Sequence, residues 1–178
     1  MRTQNTKHAR RQRGVASVEF ALIAVVFFTL LFGVIEFGRL LFSINSVQEV
    51  TRRAAREQTV RWVTDTSEVK REAVLHPGSG GNFPGMPDVD DTKVQLDFYN
   101  TYSNAATDTN RIEGVSDPLE NFNNCYWSET NCIRFVRAEL TKNDGSPVTF
   151  TTIVPFLPDS FVLPRSTVIM PAEALGLL

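Results

Sequence analysis

The first 76 residues of the chain contain no proline, although nine prolines follow from Pro77 onward. Inside this stretch, sixteen consecutive residues from Phe20 to Ile35 carry no charge, and Thr29 is their only polar side chain. Proline in a helix interior costs about 3 kcal/mol, so its absence permits one uninterrupted helix. The pattern predicts a long helix from about Ala16 to about Val63.

Residues 15–44 are long enough to cross the ~30 Å hydrocarbon core of a bilayer. The preceding fourteen residues carry five bases and no acid: Arg2, Lys7, Arg10, Arg11 and Arg13. Positive residues flanking a span favour the cytoplasmic side, so residues beyond ~45 are predicted to be exported. A cleaved secretory signal peptide fits less well, because no small-x-small site follows the apolar run. We therefore divide the chain into a basic leader (1–14), a transmembrane helix (15–44), its exported continuation (45–64) and an exported domain (65–178).

The unusual residue in the predicted span is Glu19. An ionisable side chain within a membrane helix is costly and points to a function, and no base lies three or four residues after it. Cleavage between Gly14 and Val15 would turn Val15 into an amino-terminal ammonium, four residues before the acid and on the same helix face. Glycine suits such a junction because it leaves an extended backbone unobstructed for a protease. An ordinary uncleaved signal anchor remains the alternative.

A second acid, Glu36, has a base three residues later, Arg39, which places both on one helix face. The pair lies about 22 residues after Val15, or ~33 Å along a helix rising 1.5 Å per residue. This position is the far membrane interface, where an arginine side chain reaches the headgroups. We therefore predict an interfacial ion pair.

Two strings, RGVASVEFAL at residues 13–22 and FGVIEFGR at residues 32–39, resemble the TadE-like family. These proteins are pseudopilins or minor pilins of the tight-adherence (Flp) pilus, a type IVb pilus system. The resemblance covers about residues 10–60 and implies cleavage after Gly14 by a prepilin peptidase. It also implies that the acid Glu19, followed by Phe20, is needed for processing or assembly.

Further expectations follow from the same resemblance. The partners would be the prepilin peptidase, other pilins and pseudopilins through the amino-terminal helix, the inner-membrane assembly platform and membrane lipid. The protein would be a single-pass protein of the bacterial inner membrane, with its amino terminus cytoplasmic and its carboxyl-terminal domain exported, and it could enter the surface pilus. The family implies a role in adhesion and no catalysis.

Charge and composition exclude other classes of function. Without the basic leader, 13 bases face 20 acids, whereas a nucleic-acid-binding surface is basic. The chain has two histidines, His8 and His76, and neither belongs to a credible catalytic set. An Asp cluster at residues 88–91 lacks the glycine and terminal glutamate of an EF-hand, which favours a solvated turn over a calcium site. We therefore predict no enzyme activity and no cofactor.

The two cysteines, Cys125 and Cys132, lie in a polar segment predicted to be a loop. If this region is exported, a disulfide is favoured, because disulfides persist outside the cytoplasm. Zinc is the rival, but two cysteines without an adjacent histidine do not supply four ligands. Two unrelated free thiols are the remaining possibility. The aromatic residues Tyr126 and Trp127 are expected to anchor the loop or core, and an adhesive tip is the alternative.

Alternating or apolar segments in the carboxyl-terminal part predict strands, at residues 92–99, 133–140, 148–154, 160–163 and 166–170. The turn sequence Asn143-Asp144-Gly145 predicts a hairpin between the second and third of them. A break near 64–67 and a short helix at 68–75 precede these strands. The helical stripe of Val47, Val50, Ala54 and Ala55 is expected to dock on this domain rather than on a partner helix.

The fold class predicted is therefore α+β: a long amino-terminal transmembrane helix continues into a small exported domain with an antiparallel β-sheet. The function predicted is that of a minor pilin or pseudopilin, processed after Gly14 and taking part in assembly of a tight-adherence pilus. The alternative is an uncleaved membrane-anchored envelope scaffold or adhesin. Processing distinguishes the two.

Overall fold

One helix dominates the fold. The computed structural model describes residues 7–78, 80–115, 117–127 and 129–172. Helix α1 runs from Lys7 to Val60 over 54 residues, which corresponds to a length of ~81 Å at 1.5 Å per residue. It begins before the predicted start at Ala16, since no proline precedes that residue, and it crosses the predicted boundaries at 14 and 44 without a break.

Three short helices and five strands follow α1. The helices are α2 (Thr66–Ala73), α3 (Tyr102–Thr107) and α4 (Pro118–Tyr126). The strands are β1 (Val94–Tyr99), β2 (Phe135–Leu140), β3 (Thr149–Thr151), β4 (Ser160–Val162) and β5 (Thr167–Pro171). The α+β class predicted from the sequence is confirmed. Helices α3 and α4 were missed, because each is short and lies in a segment rich in asparagine and serine.

The strands form two antiparallel sheets. A three-stranded sheet has the order β1-β2-β5, with Leu96 opposite Ala138 and Ala138 opposite Val168. A two-stranded sheet pairs β3 with β4. The three-stranded sheet lies against α1, mainly through β2 and β5.

The predicted hairpin between the second and third strands is wrong. The turn at residues 142–145 forms, with the Gly145 amide donating to the Lys142 carbonyl at 2.9 Å. The pairing beyond it stops at a single bridge between Thr141 and Pro147. Proline has no amide hydrogen to continue the ladder, and both edges of β2 are already occupied by β1 and β5. Strand β3 pairs with β4 instead.

The predicted docking of α1 on the carboxyl-terminal domain is confirmed. Val47 and Val50 are 3% and 1% exposed, and Ala54 and Ala55 are fully buried in the core of the domain. Their spacing of three, four and one residues keeps them on one face of the helix. The carboxyl-terminal part of α1 therefore packs in the core of the folded domain and is not a free stalk.

The end of α1 has a side-chain explanation. Gln58 is completely buried, and its amide nitrogen donates to the carbonyls of Arg61 and Trp62 at 3.2 and 3.1 Å. Carbonyls at a helix end need such partners when they are withdrawn from water. Arg61 then pairs with Glu72 of α2 at 2.8 Å, which ties the following turn back to the helix.

Candidate functional site

The predicted cleavage junction lies within regular helix. Gly14 and Val15 are both helical, and a Cβ placed on Gly14 would meet no other atom within 4 Å. A protease that cuts an extended backbone would therefore have to unwind the helix at this point. Glycine lowers that barrier, because in a helix interior it is about 1 kcal/mol less favourable than alanine.

The carboxylate of Glu19 is exposed on the surface of α1. Within the described part of the chain, no base lies within ion-pair distance of it. Phe20 beside it is 72% exposed, and Val15, one helical turn before, is 68% exposed. Because Val15 and Glu19 stand four residues apart on one helix, a charge created at Val15 would lie close to this carboxylate.

The helix around Glu19 presents apolar side chains on all sides. Residues 14–35 are all exposed except Ala24 and Gly33, which are half-buried, and none of them is buried. The most apolar window of this helix has a mean hydropathy of 2.6 and no residue buried inside the protein. A helix of a soluble core would be buried instead, so this amino-terminal apolar helix suggests a membrane anchor.

Glu36 marks the place where the helix enters the folded domain. The predicted ion pair is present, with Arg39 Nη1 2.8 Å from Glu36 Oε2. The acid is nevertheless only 4% exposed, so the pair is more than an interfacial surface contact. The backbone amide of Ile153 donates to Glu36 Oε1 at 3.1 Å. The Arg39 guanidinium lies 5.1 Å from the ring centre of Phe150.

The spacing of Glu36 and Arg39 predicts their ion pair, but it does not predict their contacts with Phe150 and Ile153 in the β3 region. The contact between Glu36 and Ile153 joins residues 117 positions apart, and no local spacing rule covers such a distance. The only hint of these partners is chemical. A carboxylate that becomes buried requires hydrogen-bond donors, because burying it without them is costly. The structure supplies one of those donors, the Ile153 amide, from the segment that follows β3.

The cysteines form a disulfide, with their Cα atoms 4.7 Å apart. Cys125 is not in a loop as predicted but in the last turn of α4. The preceding turn is fixed by Asn121, which is buried and exchanges two hydrogen bonds with the backbone of Ile133, at 2.8 and 3.3 Å. The disulfide therefore fastens the end of α4 to the irregular segment that leads into β2.

The aromatic residues after Cys125 do not anchor the core. Tyr126 and Trp127 are 70% and 73% exposed, and their rings pack edge to face at 5.1 Å. Leu119 and Phe122 on α4 are also exposed, at 68% and 57%. These four residues form an exposed apolar surface along α4 and at its carboxyl-terminal end.

A charge cluster surrounds Arg137, which lies in the middle of β2. Arg111 donates to both carboxylate oxygens of Asp108 at 2.9 and 2.8 Å, and this contact holds the pKa of Asp108 well below its ordinary value. Arg137 Nη1 lies 2.9 Å from the same carboxylate. Burial, and then the hydrogen bond that Tyr99 donates to Asp108, raise the pKa of Tyr99 to about 12. The cluster holds α3 and the segment after it against the sheet.

The Asp cluster at residues 88–91 has structural roles. Asp90 accepts hydrogen bonds from Thr92 and pairs with Lys93 at 3.1 Å. Asp88 accepts from the amide of Thr151 at 3.2 Å. Among the residues that the structure describes, no group of three histidine, cysteine or acidic side chains is arranged to hold a metal ion.

The comparison with protein families matches the segment described above. The sequence model of the family described as TadE-like protein matches residues 14–56. No curated protein and no solved structure matches the chain. The matched range begins at the glycine of the predicted junction and ends within the buried part of α1, so it includes Glu19 and Glu36. The predicted resemblance to the TadE-like family is therefore confirmed over residues 14–56, which form a TadE-like segment.

Proposed function

We propose that this protein is a minor pilin or pseudopilin that a prepilin peptidase processes between Gly14 and Val15. The TadE-like segment suggests a protein associated with the Tad pilus. The observation that carries the finer proposal is the exposed Glu19 carboxylate, which has no basic partner among the described side chains and stands one helical turn after Val15. Cleavage places an ammonium group at the depth of this acid.

The new charge explains why an acid is tolerated in a membrane helix. In a low dielectric, a carboxylate is stabilised only when an opposite charge and further hydrogen bonds compensate its lost hydration. Within one subunit the ammonium of Val15 lies a turn away. Between axially shifted subunits, the ammonium of one helix meets Glu19 of its neighbour and fixes the shift. The pairing thus links proteolysis to assembly.

The rest of the chain has a structural role in this proposal. The protein acts as an assembly component and not as an enzyme, and it requires no cofactor. Its amino terminus faces the cytoplasm and its domain is exported from the inner membrane. Other pilins and the assembly platform contact the apolar surface of α1, where no side chain between residues 14 and 35 is buried.

A pair of glycine variants tests the cleavage step. Gly14→Ala should abolish or strongly slow removal of the leader, measured by intact mass of membrane-extracted protein in cells with an active prepilin peptidase. Gly33→Ala is the matched control, because Gly33 lies in the same helix and its added methyl group would also meet no atom within 4 Å. Normal cleavage of Gly14→Ala would contradict the proposed junction.

A second pair of variants tests the acid. Glu19→Ala should be expressed and inserted but should fail to support pilus assembly, scored by pilin recovered in the sheared surface fraction. Glu19→Asp retains the charge and should retain part of the activity. Normal pili in a Glu19→Ala strain would refute the proposed role of this carboxylate.

The second candidate function is an uncleaved anchored adhesin, and the exposed apolar surface on α4 favours it. Leu119, Phe122, Tyr126 and Trp127 are each more than half exposed, and such patches mark interaction sites. A variant with Tyr126→Ser and Trp127→Ser separates the candidates. If this variant loses surface attachment while pili remain normal, the adhesin is favoured. If the variant is still processed and assembled and attachment is unchanged, the pilin is favoured.

A further inference from the structure

The segment containing β3 and β4 is unusually apolar for a surface segment. Between Val148 and Leu163, Asp159 is the only charged residue. We call residues 148–163 the hairpin segment. Its inward side chains fill the core, with Phe150 and Leu163 only 4% and 2% exposed.

The outward side chains of the hairpin segment are also apolar. Ile153 is 73% exposed, Phe156 is 55% exposed and Val162 is 69% exposed. Phe161 adds a partly exposed ring at 36%. A surface with this many exposed apolar side chains and a single charge indicates an interaction site for an apolar partner.

The hairpin segment is fixed at a definite height along α1. The amide of Ile153 donates to Glu36 at 3.1 Å, and the ring of Phe150 lies against Arg39. The 21 residues from Val15 to Ile35 rise ~31 Å, which matches the ~30 Å hydrocarbon core. Glu36 therefore stands where a helix that spans the bilayer leaves the hydrocarbon.

The helix itself continues the apolar surface at this height. Phe37 and Leu41, just after Glu36, are 61% and 45% exposed. They lie within about 8 Å of the height of Glu36, at 1.5 Å per residue. Side chains from two separate parts of the chain thus share the level of the membrane interface.

We propose that the hairpin segment rests in the interface of the bilayer into which α1 is anchored, with Ile153 and Phe156 among the acyl chains and headgroups. The ligand is the lipid surface itself. This inference depends on the proposed anchoring of α1, and it adds a second membrane contact that holds the domain down on the bilayer. Arg39, whose side chain is 32% exposed, stands at the depth of the lipid phosphates.

The test uses the full chain, one copy in each nanodisc of phosphatidylcholine and phosphatidylglycerol. Because both native cysteines are in the disulfide, a single introduced cysteine can carry an environment-sensitive fluorophore. Phe156→Cys reports on the hairpin segment, and Val162→Cys does so while leaving Ile153 and Phe156 in place. Quenching is measured with lipids that carry a nitroxide near the top of the acyl chain.

Two further sites serve as controls. Val60→Cys is the matched control, since Val60 is apolar and 51% exposed but stands ~36 Å above Glu36 along the helix. Val26→Cys tests the span itself with a nitroxide deep in the acyl chain. Quenching at Val26 without quenching in the hairpin segment would overturn this inference while leaving the anchor intact.

The expected result is quenching at Phe156 and Val162 several-fold stronger than at Val60. Equal quenching at all three sites would refute the interface contact. A fluorophore at Phe156 that is shielded from water but not quenched, and that cross-links to a second copy at higher loading, would also refute it, because the surface would then face protein.

Discussion

Replacing Glu36 with alanine should loosen the hairpin segment where it joins α1. The carboxylate accepts a hydrogen bond from the Ile153 amide at 3.1 Å and pairs with Arg39 at 2.8 Å. Alanine removes both contacts while preserving the helix, because alanine is the best helix former. The Ile153 amide then has no acceptor from α1.

The magnitude follows from the two contacts. A hydrogen bond to a charged acceptor contributes about 1.5–3 kcal/mol. The ion pair adds little, because nearly a third of the Arg39 side chain is exposed and remains hydrated when its partner is lost. A net loss of about 2 kcal/mol corresponds to roughly a 30-fold increase in local opening, since 1.4 kcal/mol is a factor of ten.

Hydrogen exchange at the Ile153 amide measures this local opening directly. Glu36→Ala should speed exchange about 30-fold, while Glu36→Gln, which keeps a neutral acceptor worth about 1 kcal/mol, should speed it only severalfold. Glu49→Ala is the matched control, because Glu49 forms an exposed pair with Arg53 on the same helix at 3.7 Å. Unchanged exchange at Ile153 in Glu36→Ala would refute the reasoning.

Two further predictions concern the carboxyl-terminal domain. Replacing Cys125 and Cys132 with serine should lower the free energy of unfolding by about 2–3 kcal/mol in a urea titration of the full chain in detergent, since the bond closes a short loop; the wild-type protein should show no reactive thiol before reduction. Asp108 should make the domain sensitive to acid, because its pKa is lower in the folded state than in the unfolded state. The stability that its ionised carboxylate contributes is therefore complete above about pH 4, and it is lost as the pH falls through the pKa of the folded state. Asp108→Asn should therefore be less stable at pH 7 and show a shallower loss of stability between pH 4 and pH 2, and an unchanged pH profile would contradict the assigned network.

The features predicted correctly from the sequence depend on local patterns. The charge-free run from Phe20 to Ile35 required a helix, and the stripe containing Val47 and Val50 identified the face that the domain covers. The pair of Glu36 and Arg39 follows from their spacing of three residues. The alternation of Val94, Leu96 and Phe98 located β1, and their burial in the structure agrees with that pattern.

The features that were missed depend on distant parts of the chain. The sequence around Asn143 specifies a turn, but it carries no information about whether the edge of β2 is free for β3. The burial of Glu36 depends on Ile153, far away in sequence. Helix α4 has a recognisable start: Asp117 caps it by accepting a hydrogen bond from the Glu120 amide, and Pro118 occupies its first turn. Its apolar face is exposed, however, so the helix lacks the buried stripe of a core helix.

The most direct test of the account is the amino terminus of the functional molecule. Protein recovered from the pilus-bearing membranes of cells with an active prepilin peptidase should begin at Val15, as measured by intact mass and terminal sequencing. This shortened form should accompany assembled pili. Recovery of assembled protein that still carries Met1 through Gly14 would contradict it, because Glu19 would then lack the ammonium group that the account assigns as its partner.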